Sequence, residues 1–126
     1  MTLDIWSSPR HRPTLLDLWN EGLASLQVND CDQGLLFFNQ VIKKKPEIAP
    51  AWWGAGVCLL ASNSTNEGIA ALKKAGQLDP SFTTPHYTLG LTYAQQGRRE
   101  AAYNEHEALK RLDRKFAQKL KEQLPK

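Results

Sequence analysis

Chemically similar residues return along this chain at intervals of 34 positions. Two columns of residues show the period: Gly22, Gly56 and Gly90, and Trp19, Trp53 and Tyr87. A fixed period of this length indicates an array of similar structural units, each packed against its neighbours. The period constrains the fold more than any composition value does, and it predicts three units, at 15–48, 49–82 and 83–116.

Each unit divides into two stretches in which apolar residues recur at helical spacing. The predicted helices span 15–27 and 34–42, 52–61 and 68–78, and 87–95 and 99–112, with a last amphipathic helix at about 116–124. The sequence therefore predicts an all-α domain at 15–126, in which three helix pairs are followed by a capping helix. An N-terminal arm at 1–14 precedes the domain.

Residues that permit or impose turns fall between the predicted helices. Asn29, Asn63 and Gly97 follow the first helix of each unit. Asparagine and glycine accept the left-handed backbone conformation that often ends a helix. Pro46 and Pro80 lie where the second helices must stop, because proline cannot continue a helix.

The glycines of the period lie inside predicted helices, where each costs about 1 kcal/mol relative to alanine. A helix accepts this cost where a partner must approach closely. A second column of small residues, Gly34, Gly68 and Ala102, recurs at the same period. We therefore predict that the two helices of each unit pack tightly, with the small residues of one facing those of the other.

The composition excludes several classes of protein. Of the 126 residues, 41% are hydrophobic and 23% are charged, which is typical of a soluble globular chain. No apolar run reaches the roughly 20 residues of a membrane helix, and the N-terminus lacks the apolar core of a signal peptide, so the predicted compartment is the cytoplasm. Cys31 and Cys58 are too few for a disulfide framework or a four-ligand zinc site.

These residues resemble the signature of the tetratricopeptide repeat, a 34-residue helix–turn–helix unit. The second unit matches the signature at Trp52, Ala55, Gly56, Leu59, Gly68, Leu72, Ala75 and Pro80. The third unit departs from it at His86, His106 and Arg114, and the first at Glu21 and Ser25. The resemblance implies a right-handed superhelical solenoid whose concave face is lined by the first helices and holds a peptide or a partner's helix.

The resemblance also implies which residues face that concave side. They are Trp19, Leu23, Leu26, Gln27, Trp53, Val57, Leu60, Tyr87, Leu91 and Gln95. An aromatic and aliphatic groove of this kind suits an extended or amphipathic polypeptide segment, and it is similar to the apolar grooves of bacterial secretion chaperones. The alternative is that the aromatic column only packs neighbouring helices.

One class of ligand is not expected. Family members that hold the acidic C-terminal tails of heat-shock chaperones use a clamp of lysine, asparagine and arginine. The corresponding places here carry no cation: Trp19, Leu23, Gly54, Thr84 and Thr88. The partner is therefore expected to be a protein or peptide other than those tails.

Other chemistry has little support in the sequence. There is no phosphate-binding glycine loop, no metalloprotease motif and no nucleophile elbow, so we expect neither an enzyme nor a cofactor nor a metal. The net charge of +3 is too small to predict nucleic-acid binding by itself.

Two alternatives stay open. The first is a basic adaptor that meets nucleic acid or an acidic partner through Arg98, Arg99, Lys110, Arg111, Arg114 and Lys115. The second is a scaffold that assembles into homo-oligomers. A further hypothesis concerns the N-terminal arm, whose Ile5 and Trp6 would dock in the groove.

Overall fold

The computed structural model describes residues 12–125, which form seven α-helices and, within that range, no strand. The helices are α1 (Leu15–Gln27), α2 (Cys31–Lys44), α3 (Ala49–Ala61), α4 (Thr65–Leu78), α5 (Thr84–Gln95), α6 (Arg99–Leu112) and α7 (Arg114–Gln123). The predicted all-α fold is confirmed. The hypothesis that Ile5 and Trp6 dock in the groove lies outside the described residues.

Local side chains explain where the helices begin. Thr14 accepts a hydrogen bond from the backbone N–H of Asp17 at 3.1 Å, and its own N–H donates to the Asp17 carboxylate at 2.9 Å. This reciprocal pair is a capping box. Asp30 and Asp113 cap α2 and α7 by accepting from the N–H three residues further on. Helices α3 and α5 instead carry a proline in their first turn, where a missing N–H costs little.

The three turns between paired helices have one geometry. Asn29, Asn63 and Gly97 have φ angles of 59°, 64° and 74°, so the predicted left-handed conformation is confirmed at each. The backbone N–H of the next residue then donates a hydrogen bond to the carbonyl oxygen five positions earlier, as in a Schellman motif. These bonds are Asp30 to Ser25 at 2.8 Å, Ser64 to Leu59 at 2.9 Å and Arg98 to Tyr93 at 2.8 Å.

The helices form two layers. Helix α1 packs on α2, α3 on α4 and α5 on α6, while α7 covers α6 and α5. Contacts also join α1 to α3 and α3 to α5, whereas in the described range no Cα atoms of α2 and α4, or of α4 and α6, come within 8 Å. The odd-numbered helices are therefore crowded and the even-numbered ones splayed apart, so the array curves with α1, α3 and α5 on its inner side.

Close packing of small residues is confirmed in the second helix pair. A Cβ atom on Gly56 would lie 3.1 Å from the Gly68 carbonyl oxygen, and one on Gly68 would lie 3.0 Å from the Gly56 oxygen. The same prediction is wrong for Gly90. Its nearest neighbours are side-chain atoms of Leu120, which would approach a Cβ to 2.7 Å, so this glycine makes room for the capping helix.

Several helices begin earlier than the hydrophobic pattern predicts. Helices α2 to α5 begin at Cys31, Ala49, Thr65 and Thr84 rather than at 34, 52, 68 and 87, three residues earlier in each case. Helix α7 begins at Arg114 rather than at about 116. The Asp30 side chain caps the first turn of α2, and α3 and α5 have a proline in their first turn, which favours a helix start but adds nothing to the hydrophobic pattern. Helix α4 begins without a side-chain cap hydrogen bond.

Candidate functional site

The residues predicted to bind a peptide lie on α1, α3 and α5, the helices of the inner layer. Eight of them are partly buried: Trp19, Leu23, Leu26, Trp53, Val57, Leu60, Tyr87 and Leu91. Gln27 and Gln95 are exposed. Partly buried side chains pack against the core on one side and are accessible on the other, so this face is an apolar surface held in place by the core.

Trp19 lies at the N-terminal end of this face. Its ring meets the edge of the Phe38 ring, with centroids 5.7 Å apart and an interplanar angle of 61°. Phe38 is fully buried, and its ring would approach a Cβ on Gly22 to 2.7 Å and one on Gly54 to 2.6 Å. The absence of side chains at both glycines therefore admits the ring that supports Trp19.

An apolar cavity of about 480 Å³ opens beside Trp19. It is lined by Leu15, Leu16, Trp19, Val41, Ile48 and Pro50. Trp19 was predicted from the sequence, and the other five were missed. Leu16 and Pro50 are 34 residues apart, but the third residue at that spacing is Thr84, so the period gave no signal for this cavity.

Trp53 occupies the middle of the inner layer. It packs against the largest buried cluster, which includes Leu72, Leu89 and Tyr93. Its indole Nε1 is buried and has no hydrogen-bond partner among residues 12–125. An unpaired buried donor costs about 1–3 kcal/mol. The polar edge of this ring is therefore left unsatisfied by the fold.

The capping helix forms a wall at the other end of the face. Tyr87 stacks on Phe116 of α7, with centroids 4.6 Å apart and an interplanar angle of 22°. Beyond it, Leu91 and Gln95 line a cavity of about 380 Å³ together with Leu124 and its neighbours at the end of α7. The two cavities therefore lie at opposite ends of the inner layer, one against the start of α1 and one against the end of α5.

The basic residues of the alternative site do not form one continuous surface. Arg98 and Arg99 lie at the start of α6, with guanidinium carbons 4.6 Å and 5.7 Å from the ring centroids of Tyr93 and Tyr103. Lys110 lies near the other end of α6, about 16 Å along the axis at 1.5 Å per residue. Two of the remaining basic residues, Arg111 and Lys115, are exposed.

The histidines at departures from the repeat signature have packing roles. His86 Nδ1 lies 2.7 Å from Glu105 Oε2, which joins α5 to α6. His106 is 7% exposed and meets the ring of Tyr103 edge-on. Nowhere in 12–125 do three His, Cys, Asp or Glu side chains cluster as a metal site would need. The helices of the same range are too short or too polar to cross a bilayer.

Solved structures share this arrangement of helices. The TPR2B domain of yeast Sti1, in its complex with pHsp70, has a TM-score of 0.81 at 19% identity, covering 86% of this chain and 91% of that one. The Arabidopsis OM64 TPR domain has a TM-score of 0.79 at 14% identity, with coverage of 86% and 91%. YrrB, a TPR protein with an unusual peptide-binding site, has a TM-score of 0.78 at 18% identity, covering 88% of this chain and 58% of that one.

Sequence comparison finds similarity to a peroxisomal targeting signal receptor. The receptor of Komagataella phaffii is 32% identical over 68 residues, which are 54% of this chain and 12% of the receptor. The receptor of Komagataella pastoris matches to the same extent, so the chain spans a small part of the curated relatives it matches. No protein-family model matches the chain. The structural similarities confirm the tetratricopeptide-repeat fold that the sequence predicted.

Proposed function

We propose that this chain, with its tetratricopeptide-repeat fold, is a non-enzymatic protein-interaction module. It binds an extended or amphipathic polypeptide segment along the inner face of α1, α3 and α5. The observation that carries the proposal is the apolar cavity of about 480 Å³ beside Trp19, since an open apolar recess of this size is typical of ligand sites. The neighbours support the class of ligand: the Sti1 domain is in complex with pHsp70, and YrrB has a peptide-binding site.

The two cavities define a path for the ligand. It runs from Leu16 and Trp19 on α1, across Trp53 on α3, to Leu91 and Gln95 on α5. Neighbouring helices pack about 8–10 Å apart, so the path crosses about 16–20 Å between helices. It also runs about 16 Å along them, because Gln95 corresponds to a place eleven residues beyond Leu16 in the repeat. An extended chain covers the resulting diagonal of about 23–26 Å in about seven or eight residues. The ligand is therefore a short segment with apolar side chains at both ends.

Trp53 is the central contact of this path. Its ring offers a large contact area with little side-chain entropy to lose, and residues of this type often dominate binding energies.

Acidic chaperone tails are outside the proposed ligand class. The Thr88 hydroxyl already donates to the Thr84 carbonyl at 3.1 Å, within its own helix. Gly54 has no room for a longer side chain, because the Phe38 ring would lie 2.6 Å from its Cβ. These positions therefore offer no cation to a terminal carboxylate, and an acidic peptide is expected to bind no better than a neutral one.

The test starts from a peptide of known sequence. A peptide is selected from a displayed library on the full chain, and its dissociation constant is measured by isothermal titration calorimetry at two salt concentrations. Trp53→Ala is expected to weaken binding about thirtyfold, equivalent to about 2 kcal/mol, with far-UV circular dichroism unchanged. Leu16→Ser is expected to weaken it too, because this side chain is 65% exposed on the first cavity and its loss disturbs little of the core.

Leu36→Ser is the matched control. Leu36 is also an exposed leucine, at 59%, but it lies on α2 in the outer layer, so its replacement should leave binding unchanged. Lys44→Ala and Arg98→Ala should also have little effect. Equal losses at Leu16 and Leu36 would contradict the groove. Greater damage from Arg98→Ala and added salt would support the basic adaptor, and a molar mass that rises with concentration in light scattering would support the self-assembling scaffold.

A further inference from the structure

A second cavity lies away from the inner face, between α6 and α7. Its volume is about 290 Å³, and it is lined by His106, Lys110, Arg114, Ala117, Gln118 and Lys121. His106 and Lys110 are one helical turn apart on α6, and Arg114 and Lys121 are two turns apart on α7. Residues at these spacings share a helix face, so each helix presents one basic face to the same cavity.

The charged side chains that line this cavity have one sign. Within residues 12–125, the lining contains three permanent cations, all on exposed residues, and no carboxylate. In the described part of the chain, Lys110, Arg114 and Lys121 have no carboxylate oxygen within 4.0 Å. Three cations without acidic partners repel one another, and an anion bound among them would relieve this repulsion.

His106 is the most deeply buried polar residue of the lining. The side chain is 7% exposed, and its Nδ1 atom is closed to solvent and has no hydrogen-bond partner among residues 12–125. Glu107 Oε1 lies 3.6 Å from this atom, close enough for an ion pair but too far for a good hydrogen bond. A ligand in the cavity does not reach Nδ1, so an anion bound here would be held by the cations Lys110, Arg114 and Lys121.

We propose that the α6–α7 cavity binds a phosphate monoester group through Lys110, Arg114 and Lys121, with Gln118 as a further hydrogen-bonding partner. A phosphate monoester carries a charge near −2 at neutral pH and has three strong acceptor oxygens, which suits three cations better than a single carboxylate does. The cavity is at the small end of ligand sites, so it takes the phosphate group and the few atoms next to it.

A nucleic-acid strand fits this arrangement less well. A strand carries one charge per phosphate and is bound along a continuous basic track. Here Arg98 and Arg99 lie at the far end of α6, with Arg99 about 16 Å from Lys110, and they line a separate cavity that also contains Glu100. The basic residues therefore form separate sites, and the α6–α7 cavity is a site for one phosphate group.

The test is an NMR titration of the full chain with three probes at constant ionic strength: inorganic phosphate, O-phosphoserine and a single-stranded oligonucleotide. Phosphate or phosphoserine is expected to give saturable shifts at 106–121. If phosphoserine binds more tightly, the natural ligand is a phosphorylated residue, whereas equal affinities point to the free ion. Arg114→Gln is expected to weaken binding at least about tenfold, as for loss of a charge-assisted hydrogen bond.

Arg111→Gln is the matched control, because this exposed arginine is outside the cavity lining and should retain affinity within about twofold. Circular dichroism checks that each variant is folded, and Lys121→Gln replaces Arg114→Gln if the start of α7 unwinds. The proposal is overturned if neither phosphate probe saturates or if Arg111→Gln weakens binding as much as Arg114→Gln. Binding of the oligonucleotide alone, with dependence on Arg98 and Arg99, would also overturn it.

Discussion

At the scale of single residues, the fold depends on places where a side chain is absent. A Cβ on Gly56 would approach the Leu72 Cγ to 2.8 Å and the Gly68 carbonyl oxygen to 3.1 Å. One of these neighbours is backbone that cannot move without displacing a helix. Gly76 also lies inside a helix, α4, but there a Cβ would meet its nearest atom, on His86, at 3.8 Å. An added methyl group should therefore destabilise the fold at Gly56 and fit without a clash at Gly76.

The first prediction compares these glycines. Gly56→Ala should lower the free energy of unfolding by about 1–3 kcal/mol through overpacking, and Gly56→Leu should lower it further. Gly76→Ala should raise it by about 0.5–1 kcal/mol, because alanine is the better helix former and the space is free. Urea denaturation measures both. A stabilising Gly56→Ala would mean that the helices can separate without cost.

The second prediction concerns pH. Burial, helped by the nearby Cys31 thiol and by Asp32, raises the pKa of Cys58 from 9.0 to about 12. The folded chain thus keeps a proton that the unfolded chain releases above about pH 9, so stability is intact below that pH and lost as the pH rises toward 12. Between about pH 9 and pH 11, urea denaturation should show a steeper loss in wild type than in Cys58→Ala. Cys31→Ala should keep most of the steepness, and identical slopes for all three proteins would contradict the assignment.

At the scale of elements, α7 is both a cap and a wall of the inner face. Leu120 fills the space above Gly90, Phe116 stacks on Tyr87, and the Tyr103 hydroxyl donates to the Pro125 carbonyl at 2.8 Å. These contacts supply α5 with the neighbour that a fourth repeat would otherwise provide.

The third prediction tests how α7 begins. Asp113 accepts a hydrogen bond from the Phe116 N–H at 3.1 Å, so Asp113→Ala should lower stability by about 1 kcal/mol. Ser64 stands before α4 and makes no capping hydrogen bond with its side chain, so Ser64→Ala should change stability much less. Thermal denaturation of both variants provides the comparison. Equal effects would show that capping does not determine the start of α7.

At the scale of the whole molecule, each helix contacts only near neighbours. Among residues 12–125, the first pair contacts the second, the second contacts the third, and α7 contacts the third alone. The stability of such an array is close to the sum of the stabilities of its helix pairs and of the interfaces between neighbours. A destabilising substitution at one end therefore affects the nearest helix pair most and the distant pairs least. The two cavities of the inner face lie at opposite ends and therefore depend on different helix pairs.

The fourth prediction uses this one-dimensional order. Leu120 and Leu18 are both fully buried, at opposite ends of the array, and Leu→Ala at either should cost about 2–5 kcal/mol. Hydrogen exchange should show that Leu120→Ala lowers protection most in α5 and α6, while Leu18→Ala lowers it most in α1 and α2. Uniform loss of protection in both variants would mean that the molecule unfolds as one unit.

The sequence by itself determined the features that depend on short stretches of chain. The period predicted three helix pairs, and Asn29, Asn63 and Gly97 predicted their turns, because helix periodicity and left-handed turn residues act within a few positions. It also identified Trp19, Trp53 and Tyr87 as one column on the first helices. It placed several helix starts one turn late, because first turns that contain a proline or polar residues have few of the large apolar side chains on which the pattern depends.

Only the tertiary structure decided how the helices share space. In the packed molecule, Gly90 makes room for Leu120 rather than for Ala102. A cavity lies beside Trp19, and Arg98 and Arg99 lie apart from the basic cavity at His106. Periodicity shows that two residues lie on similar faces, but it does not show which side chain fills the gap between two helices. That outcome depends on the distance and angle at which the helices cross, and these are properties of the packed array.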